Sequence, residues 1–319
     1  MKTMRTLPAL LLPGLLACTA AAQDLSGIPG AFADIGLGTR PLGMGGAYVA
    51  VQDGENAARW NPAALARGGP RAAGFTWTNQ FNLIPYNYLT AGIPGKSWGV
   101  GLFAETAGDD VLRETTIAAA GAVSSDQAAF LAPLKRWLPG VSLGLTAKVR
   151  LASYGNNTDS GPGQVTGDAF GYGLDIGLLW TVPKIKGLSM ALVGRDLVNV
   201  INWNSSAKGS YGEGVPAAVV YGLAYQPSRR TLLALDLQPA LYGDTHWRTA
   251  VGVEMRPFSA IALRGGVAQN LGSRWLNRDV TLGIGVDVEL GARSTLQAGV
   301  AYLFDELVNT PRVSLSFLW

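Results

Sequence analysis

The chain holds one histidine, His246, among 319 residues, so any chemistry that needs an imidazole base has a single candidate. A Ser-His-Asp relay built on it would require a serine hydroxyl within hydrogen-bond reach. A metal site made of several histidines is excluded. His246 heads an alternating run, directly before Trp247, where a rim residue would stand. Asp287 and Glu289 are a second candidate, because two carboxylates spaced by two share a strand face and could resemble a glycoside-cleaving pair. With Arg248 and Arg264 on runs nearby in order, they read more simply as members of ion pairs in an interior. Gly43, Gly45 and Gly46 could cradle a phosphate. No parallel βαβ unit follows them, however, and a glycine cluster alone is a weak signal. No catalytic residue and no cofactor is implied. What remains is charge and glycine in a packed interior, and the elements around them must explain why.

From about residue 71 onward the sequence alternates with the period of a strand. Val280, Leu282, Ile284, Val286, Val288 and Leu290 are separated by Thr281, Gly283, Gly285, Asp287 and Glu289. Val141, Leu143, Leu145, Ala147, Val149 and Leu151 alternate with Ser142, Gly144, Thr146, Lys148 and Arg150. Phe170, Tyr172, Leu174, Ile176, Leu178 and Trp180 oppose Gly171, Gly173, Asp175 and Gly177. Soluble strands average about five or six residues; these runs have the roughly nine to eleven that a tilted membrane strand needs. The last run, Val313, Leu315, Phe317 and Trp319 with serines between, is apolar on one side and ends on an aromatic. As a free edge it would be an aggregation hazard; as a stave closing a barrel it has no edge. Phe317 and Trp319 also look like the signal read by the machinery that inserts such barrels.

Composition agrees. Charged residues make up 15% and hydrophobic residues 48%, where a soluble chain carries about a quarter charged, and no long helical periodicity follows the N-terminus. The polar faces carry Lys148, Arg150, Asp175, Asp236, Arg248, Glu254, Arg256, Arg264, Asp287 and Glu289 mid-strand among glycines. Charges of both signs beside glycines suit a narrow lumen filled by paired side chains. Aromatic residues Trp180, Trp247, Tyr302, Phe304 and Trp319 stand near strand ends, as an interfacial girdle requires. These features predict an all-β fold: a transmembrane antiparallel barrel of about fourteen strands, an even number as single-chain bacterial barrels have. The strands are placed at 71–78, 85–93, 97–105, 126–136, 140–153, 167–181, 187–195, 216–226, 229–239, 246–256, 259–268, 279–290, 294–304 and 312–319. Tight turns at Pro94-Gly95-Lys96, Pro227-Ser228 and Pro257-Phe258 mark one rim. Longer polar connections near 106–125, 154–166, 196–215 and 269–278 are assigned to the other.

The N-terminus reads as an export signal. Lys2 and Arg5 precede the short apolar run Leu7–Leu16, and Ala20-Ala21-Ala22 before Gln23 is a small-residue cleavage site. Leu15-Leu16-Ala17-Cys18 resembles a loose lipobox and offers lipid attachment at Cys18 as the competing reading. The net charge of +3 falls to +1 when Lys2 and Arg5 are removed, so no basic patch suggests nucleic acid. The expected organisation is a signal peptide at 1–22, an N-terminal segment at 23–70 and a barrel at 71–319.

The N-terminal segment does not alternate. It contains Arg40, the block Leu42-Gly43-Met44-Gly45-Gly46-Ala47, and Trp60-Asn61-Pro62-Ala63-Ala64-Leu65. Glycine permits close backbone approach and positive φ, and Asn-Pro fixes a turn. The two blocks, followed by amphipathic strands and by Arg195-Asp196-Leu197 and Leu232–Asp236, resemble the PorV/PorQ group of outer-membrane proteins, itself related to the FadL long-chain fatty-acid transporters. That resemblance implies a fourteen-stranded barrel with a hatch inside the lumen. It implies that Gly43, Met44, Gly45, Gly46, Asn61 and Pro62 belong to the hatch, with the Asn-Pro turn near the periplasmic mouth. A purely architectural role for both blocks, fitting a plug to a tight lumen, has sufficient backbone reasons.

Two functions from different classes follow. One is passive transport of hydrophobic small molecules across the outer membrane, which predicts an apolar pocket between hatch and wall and a kink or gap. The other is a cargo shuttle of type IX secretion, binding a secreted protein through loops and turns. A structural barrel without transport is the third. Outer-membrane lipid and the barrel-assembly machinery are the partners common to all.

Overall fold

The computed structural model describes residues 32, 37–80, 83–109, 111–126, 135, 139–155, 164–241, 246–271, 278–304 and 310–319. The proposed signal peptide and Cys18 lie outside the described residues. Fifteen strands follow a short N-terminal helical region: β1 (Ala72–Gln80), β2 (Ile84–Ile93), β3 (Trp98–Gly108), β4 (Leu112–Ser124), β5 (Val141–Tyr154), β6 (Gly167–Thr181), β7 (Leu188–Ser205), β8 (Gly209–Glu213), β9 (Ala218–Ser228), β10 (Thr231–Gln238), β11 (Trp247–Phe258), β12 (Ile261–Leu271), β13 (Arg278–Glu289), β14 (Thr295–Phe304) and β15 (Thr310–Leu318). All neighbours are antiparallel. The first and last strands pair, Phe75 opposite Leu315 and Trp77 opposite Val313, so the sheet closes on itself. β8 pairs only with the end of β7, which leaves fourteen strands in the closed cylinder. The expected joining of the last strand to the one near 71–78 is what the register shows.

The faces separate as the alternation demands. Leu282 is 54% exposed while Thr281 beside it is 1% exposed. Leu145, Val149, Leu151, Phe170, Tyr172 and Ile176 likewise point outward, and Thr146, Lys148, Arg150 and Asp175 are buried. An exterior of leucine, valine and aromatics this continuous is stable only against lipid, and closure pairs the strand backbones that water could not reach there. No helix among the described residues is long and apolar enough to cross a membrane. The chain is a membrane-spanning barrel of the outer-membrane type.

Three expectations are corrected. The fourth strand is Leu112–Ser124, not 126–136, and most of 106–125 is therefore wall rather than loop. Its inward Thr116, Ala118, Ala120 and Ala122 are buried, and its outward positions include Ala119 and Gly121. Small residues on both faces hide the alternation. Residues 127–134 and 136–138 lie outside the described residues; the Ser124 N–H bonds to the Ser97 carbonyl, so β4 ends on the rim of the tight turns. The seventh strand runs on to Ser205, so much of 196–215 is β-structure. Its extension carries a bulge: Leu174 faces Val198 and Ile176 faces Gly194, setting Arg195, Asp196 and Leu197 against Asp175 alone. Asp196 has φ of 51° there, a conformation uncommon outside glycine.

Candidate functional site

Residues 37–69 run through the lumen and touch almost every strand. They form α1 (Thr39–Gly43), α2 (Ala57–Trp60) and a 3-10 turn at Pro62–Arg67. Met44, Ala47, Tyr48, Val49, Ala50, Ala63 and Leu65 of this inner segment are almost wholly buried. The glycine block lies on a patch of wall glycines. Gly45 has φ of 67°, and a Cβ there would sit 2.7 Å from the Val267 nitrogen. Conversely, a Cβ on Gly252 would approach the Met44 carbonyl oxygen to 2.3 Å, and one on Gly266 the Gly45 nitrogen to 2.1 Å. Backbone therefore meets backbone here, with the Gly45 N–H donating to Thr281 Oγ1 at 3.0 Å. Gly46 also has positive φ; a Cβ on Gly43 would lie 3.3 Å from the Gly283 Cα.

Asn61 and Pro62 are anchored on the opposite wall. Asn61 Oδ1 accepts from the Ala63 N–H, capping the 3-10 turn, and its Nδ2 donates to the Val49 carbonyl at 2.7 Å. Pro62 and Ala63 press on Gly144, and Asn61 on Gly177. These glycines lie within four residues of the tight-turn ends of β5 and β6. Ser142 and Thr146 donate to the Ala63 and Ala58 carbonyls. Asp236 accepts the Tyr48 and Val49 N–H groups at 2.8 and 3.1 Å. Asp236, Ser142 and Thr146 thus satisfy backbone groups of an irregular segment that no sheet pairs.

The remaining predicted charges fall into three groups. Lys148 bridges Asp175 at 2.7 Å and Asp196 at 3.0 Å, and Arg150 also bonds Asp196, all four being buried. Glu254 receives Arg264 at 2.7 Å and Arg40 at 2.9 Å. Arg248 meets Asp279 at 3.4 Å with both side chains largely solvated, a pair that contributes little. Two pairings differ from expectation: Asp287 binds Arg256 at 2.6 Å rather than Arg248 or Arg264, and Glu289 is exposed at the end of β13, outside the lumen. Glu289 is the last residue of β13, at the rim, where its side chain meets water. Asp196, Arg40 and Glu55 belong to these networks and were not among the predicted charges, since none shows alternation.

The cavity between inner segment and wall, about 220 Å³, is polar rather than apolar as expected. Arg40, Asp53, Glu55, Arg256, Arg264 and Asp287 are among its lining residues. Burial, and then the nearby Asp53 charge, raise the Glu55 pKa to about 7, while its bond from Ser316 works the other way. The apolar surface is elsewhere: Ala152, Ala169, Ile201 and Trp203 form a buried cluster on the inner faces of β5, β6 and β7, with Phe32, Tyr154 and Val215 against it. It adjoins a break in the wall. β7 pairs with β9 as far as Arg195 opposite Ala218, and with β8 from Ile201 opposite Glu213. Residues 196–200 have no strand partner on that side. Asn199 spans the break, its Nδ2 donating to the Val215 carbonyl and its Oδ1 accepting the Val215 N–H, both at 2.7 Å.

His246 is exposed at the start of β11, and among the described residues no serine hydroxyl bonds to it. Phe317 and Trp319 stack with ring centres 5.6 Å apart on the outer face of the closing strand.

No family model matches the chain, and no curated protein matches it in sequence. Among solved structures it is similar to the CymD monoaromatic hydrocarbon channel, with a TM-score of 0.60 and 16% identity over 90% of this chain and 98% of that one. It is similar also to the toluene transporter TodX of Pseudomonas putida, at 0.59 and 14% over 89% and 98%. A FadL homologue of Pseudomonas aeruginosa gives 0.58 and 12% over 88% and 97%. The shared property is the fold: a barrel of the FadL type.

Proposed function

We propose that this barrel lets small hydrophobic molecules cross the outer membrane passively, with the inner segment acting as its hatch. The observation that carries the reading is the apolar cluster of Ala152, Ala169, Ile201 and Trp203 beside the unpaired stretch 196–200. An apolar solute entering from the outer mouth finds that surface first. The axial way onward is closed by the inner segment, and the space left there is lined by charges. Moving an apolar solute into that polar, hydrated space gains nothing, whereas leaving through the break reaches lipid directly. The structural likeness to hydrocarbon channels supports the same reading.

The test is uptake of toluene by liposomes with and without the purified protein. Faster filling with the protein is expected. An unchanged rate would overturn transport. The PorV/PorQ resemblance of the glycine and Asn-Pro blocks carries the alternative, a shuttle for secreted cargo, and unchanged uptake together with co-purification of a secreted protein would favour it.

A further inference from the structure

The strand connections divide charge unequally between the two rims. The five tight turns, at 94–97, 182–187, 229–230, 259–260 and 290–294, contain no carboxylate. They carry Lys96, Lys184, Lys186, Arg229, Arg230 and Arg293, all exposed. In sequence, the connections of the other rim hold Asp109, Asp110, Asp159, Asp244, Asp305 and Glu306 against Lys208 and Arg274. The tight-turn rim is thus a ring of cations at the level where the barrel leaves its membrane.

Beside one of these turns the outer face of the wall is hollow. Tyr225 of β9, Leu233 and Leu235 of β10, Val253 of β11 and Gly265 of β12 are among the residues lining an apolar groove of about 670 Å³. Gly265 deepens it. It stands between Val253 and Leu282 in register, and a Cβ there would still be 3.8 Å from Leu282 and 3.9 Å from Val253. The groove leads to the β9–β10 turn: Tyr225 is opposite Leu233 and Ser228 opposite Thr231, so Arg229 and Arg230 close the same hairpin. The Arg230 N–H donates to Ser228 Oγ at 3.2 Å, and its carbonyl accepts the Arg256 N–H at 2.7 Å, which fixes the turn against β11. Among the described residues neither guanidinium has a carboxylate partner. Leu235 lies about 17 Å beyond Arg230 along the strand, roughly 13 Å in depth at a tilt of about 40°, against about 15 Å for half a hydrocarbon core. The groove therefore lies within a single leaflet.

We infer that the groove and the β9–β10 turn together bind one anionic phospholipid of the adjoining leaflet, which is the periplasmic one where short turns face the periplasm. An acyl chain lies along Leu233 and Leu235, and the phosphate sits at Arg229 and Arg230, whose guanidinium groups suit phosphate oxygens. Only a lipid uses both features. An acidic protein or a soluble anion would take the cations and leave the groove empty. A second barrel, inserted the same way up, would cover the groove in a two-fold contact but bring the two arginine pairs together at one level. A zwitterionic lipid fills the groove, but its own cation opposes the arginines. The site is on the outside of the wall and is independent of the transport reading.

Native mass spectrometry of the full-length barrel in detergent micelles tests this, with phosphatidylglycerol and phosphatidylethanolamine of identical chains as the two probes. A cation at an anionic lipid is worth about fivefold, and the zwitterionic headgroup keeps part of that. Phosphatidylglycerol is therefore expected to bind about tenfold tighter, and less so in high salt. Arg229→Gln combined with Arg230→Gln should erase most of the preference. Lys184→Gln combined with Lys186→Gln removes equal charge from a turn that does not end this groove, and should keep it. Gly265→Leu fills the hollow and should weaken both lipids several-fold without changing their ratio. Equal affinities for the two lipids in the unaltered barrel would overturn the proposal. Equal losses in the two turn variants would also overturn it, since the rim would then act by diffuse attraction alone. So would unchanged lipid affinity in Gly265→Leu. Barrel dimers that carry no lipid and that Gly265→Leu dissolves would give the groove to a second copy instead.

Discussion

Arg40 of the inner segment grips Glu254 of the wall at two points, Nε to Oε2 at 2.9 Å and Nη2 to Oε1 at 3.0 Å. Arg264, from the strand beside Glu254, donates to the same Oε2 at 2.7 Å. One carboxylate thus accepts from two guanidinium groups, with that of Arg256 3.6 Å away, and ties the segment to the barrel. Glu254→Gln keeps the shape and removes the charge, leaving Arg264 buried with no full counter-charge and Arg40 with only the more distant Asp53, at 3.7 Å. Breaking a buried pair in this way costs about 3–5 kcal/mol. The expected result is a lower melting temperature together with higher ion conductance in planar bilayers, since the segment no longer fills its share of the lumen. A variant that melts lower but conducts no better would show that Glu254 stabilises the barrel without holding the segment in place.

Glu55 gives the inner segment a dependence on pH. Its pKa in the fold is about 7, against 4.5 for a free side chain. The folded form therefore keeps a proton that the unfolded form releases between those values. The contribution is fully present below about pH 4.5 and is lost as pH rises through about 7. Above that, the new charge sits buried beside Asp53. Hydrogen exchange at residues 52–56 should speed up between pH 6 and 8 beyond its intrinsic rise, and Glu55→Gln should abolish the excess. An excess that persists in that variant would assign the effect to another group.

The glycines of β12 allow a controlled test of how the segment seats. Gly266 faces inward, where a Cβ would come within 2.1 Å of the Gly45 nitrogen; Gly265 faces outward, with its nearest neighbour at 3.8 Å. Gly266→Ala should push the glycine block off the wall, exposing Arg59 and Arg67 to trypsin in otherwise intact membranes. Gly265→Ala should leave both protected. Equal cleavage of the two variants would mean that the contact does not position the segment.

How much of this could be read in the sequence depended on contrast between faces. β5, β6, β13 and β15 set bulky apolar residues against charges, serines and glycines, and their limits and inward residues were legible. β4 was not, because Ala118, Ala119, Ala120 and Gly121 present small residues to both sides. Nor was the bulge at Arg195–Leu197, where two neighbouring residues turn inward: Asp196 to Lys148 and Arg150, and Arg195 to the Trp60 ring at 5.2 Å. Alternation predicted which charges enter the lumen more reliably than which ones meet. Asp287 meets Arg256 because those residues stand at one level of the cylinder, and level depends on registers between strands that no single strand contains. The same holds for Gly252, Gly266 and Gly283, which form a seat for Gly43–Gly45 only once three strands are aligned.

The break beside β7 distinguishes the two routes a solute could take. Asn199 fills it with one amide that both donates to and accepts from Val215. Asn199→Ala leaves the Val215 N–H and carbonyl unpaired at the wall, at about 1–3 kcal/mol for each group that stays dry. The residues that flank it, Leu197 and Val198, are exposed to lipid, so a widened break opens onto an apolar surface. If solutes leave sideways, Asn199→Ala should speed toluene uptake several-fold while ion conductance stays low, because the inner segment and its ties to Glu254 and Asp236 are untouched. If they leave along the axis, the order reverses: Glu254→Gln should speed uptake and Asn199→Ala should not. Measuring uptake and conductance on both variants separates the routes, since each predicts which variant changes which quantity. Uptake that rises in neither would remove the break and the inner segment alike as the limiting step.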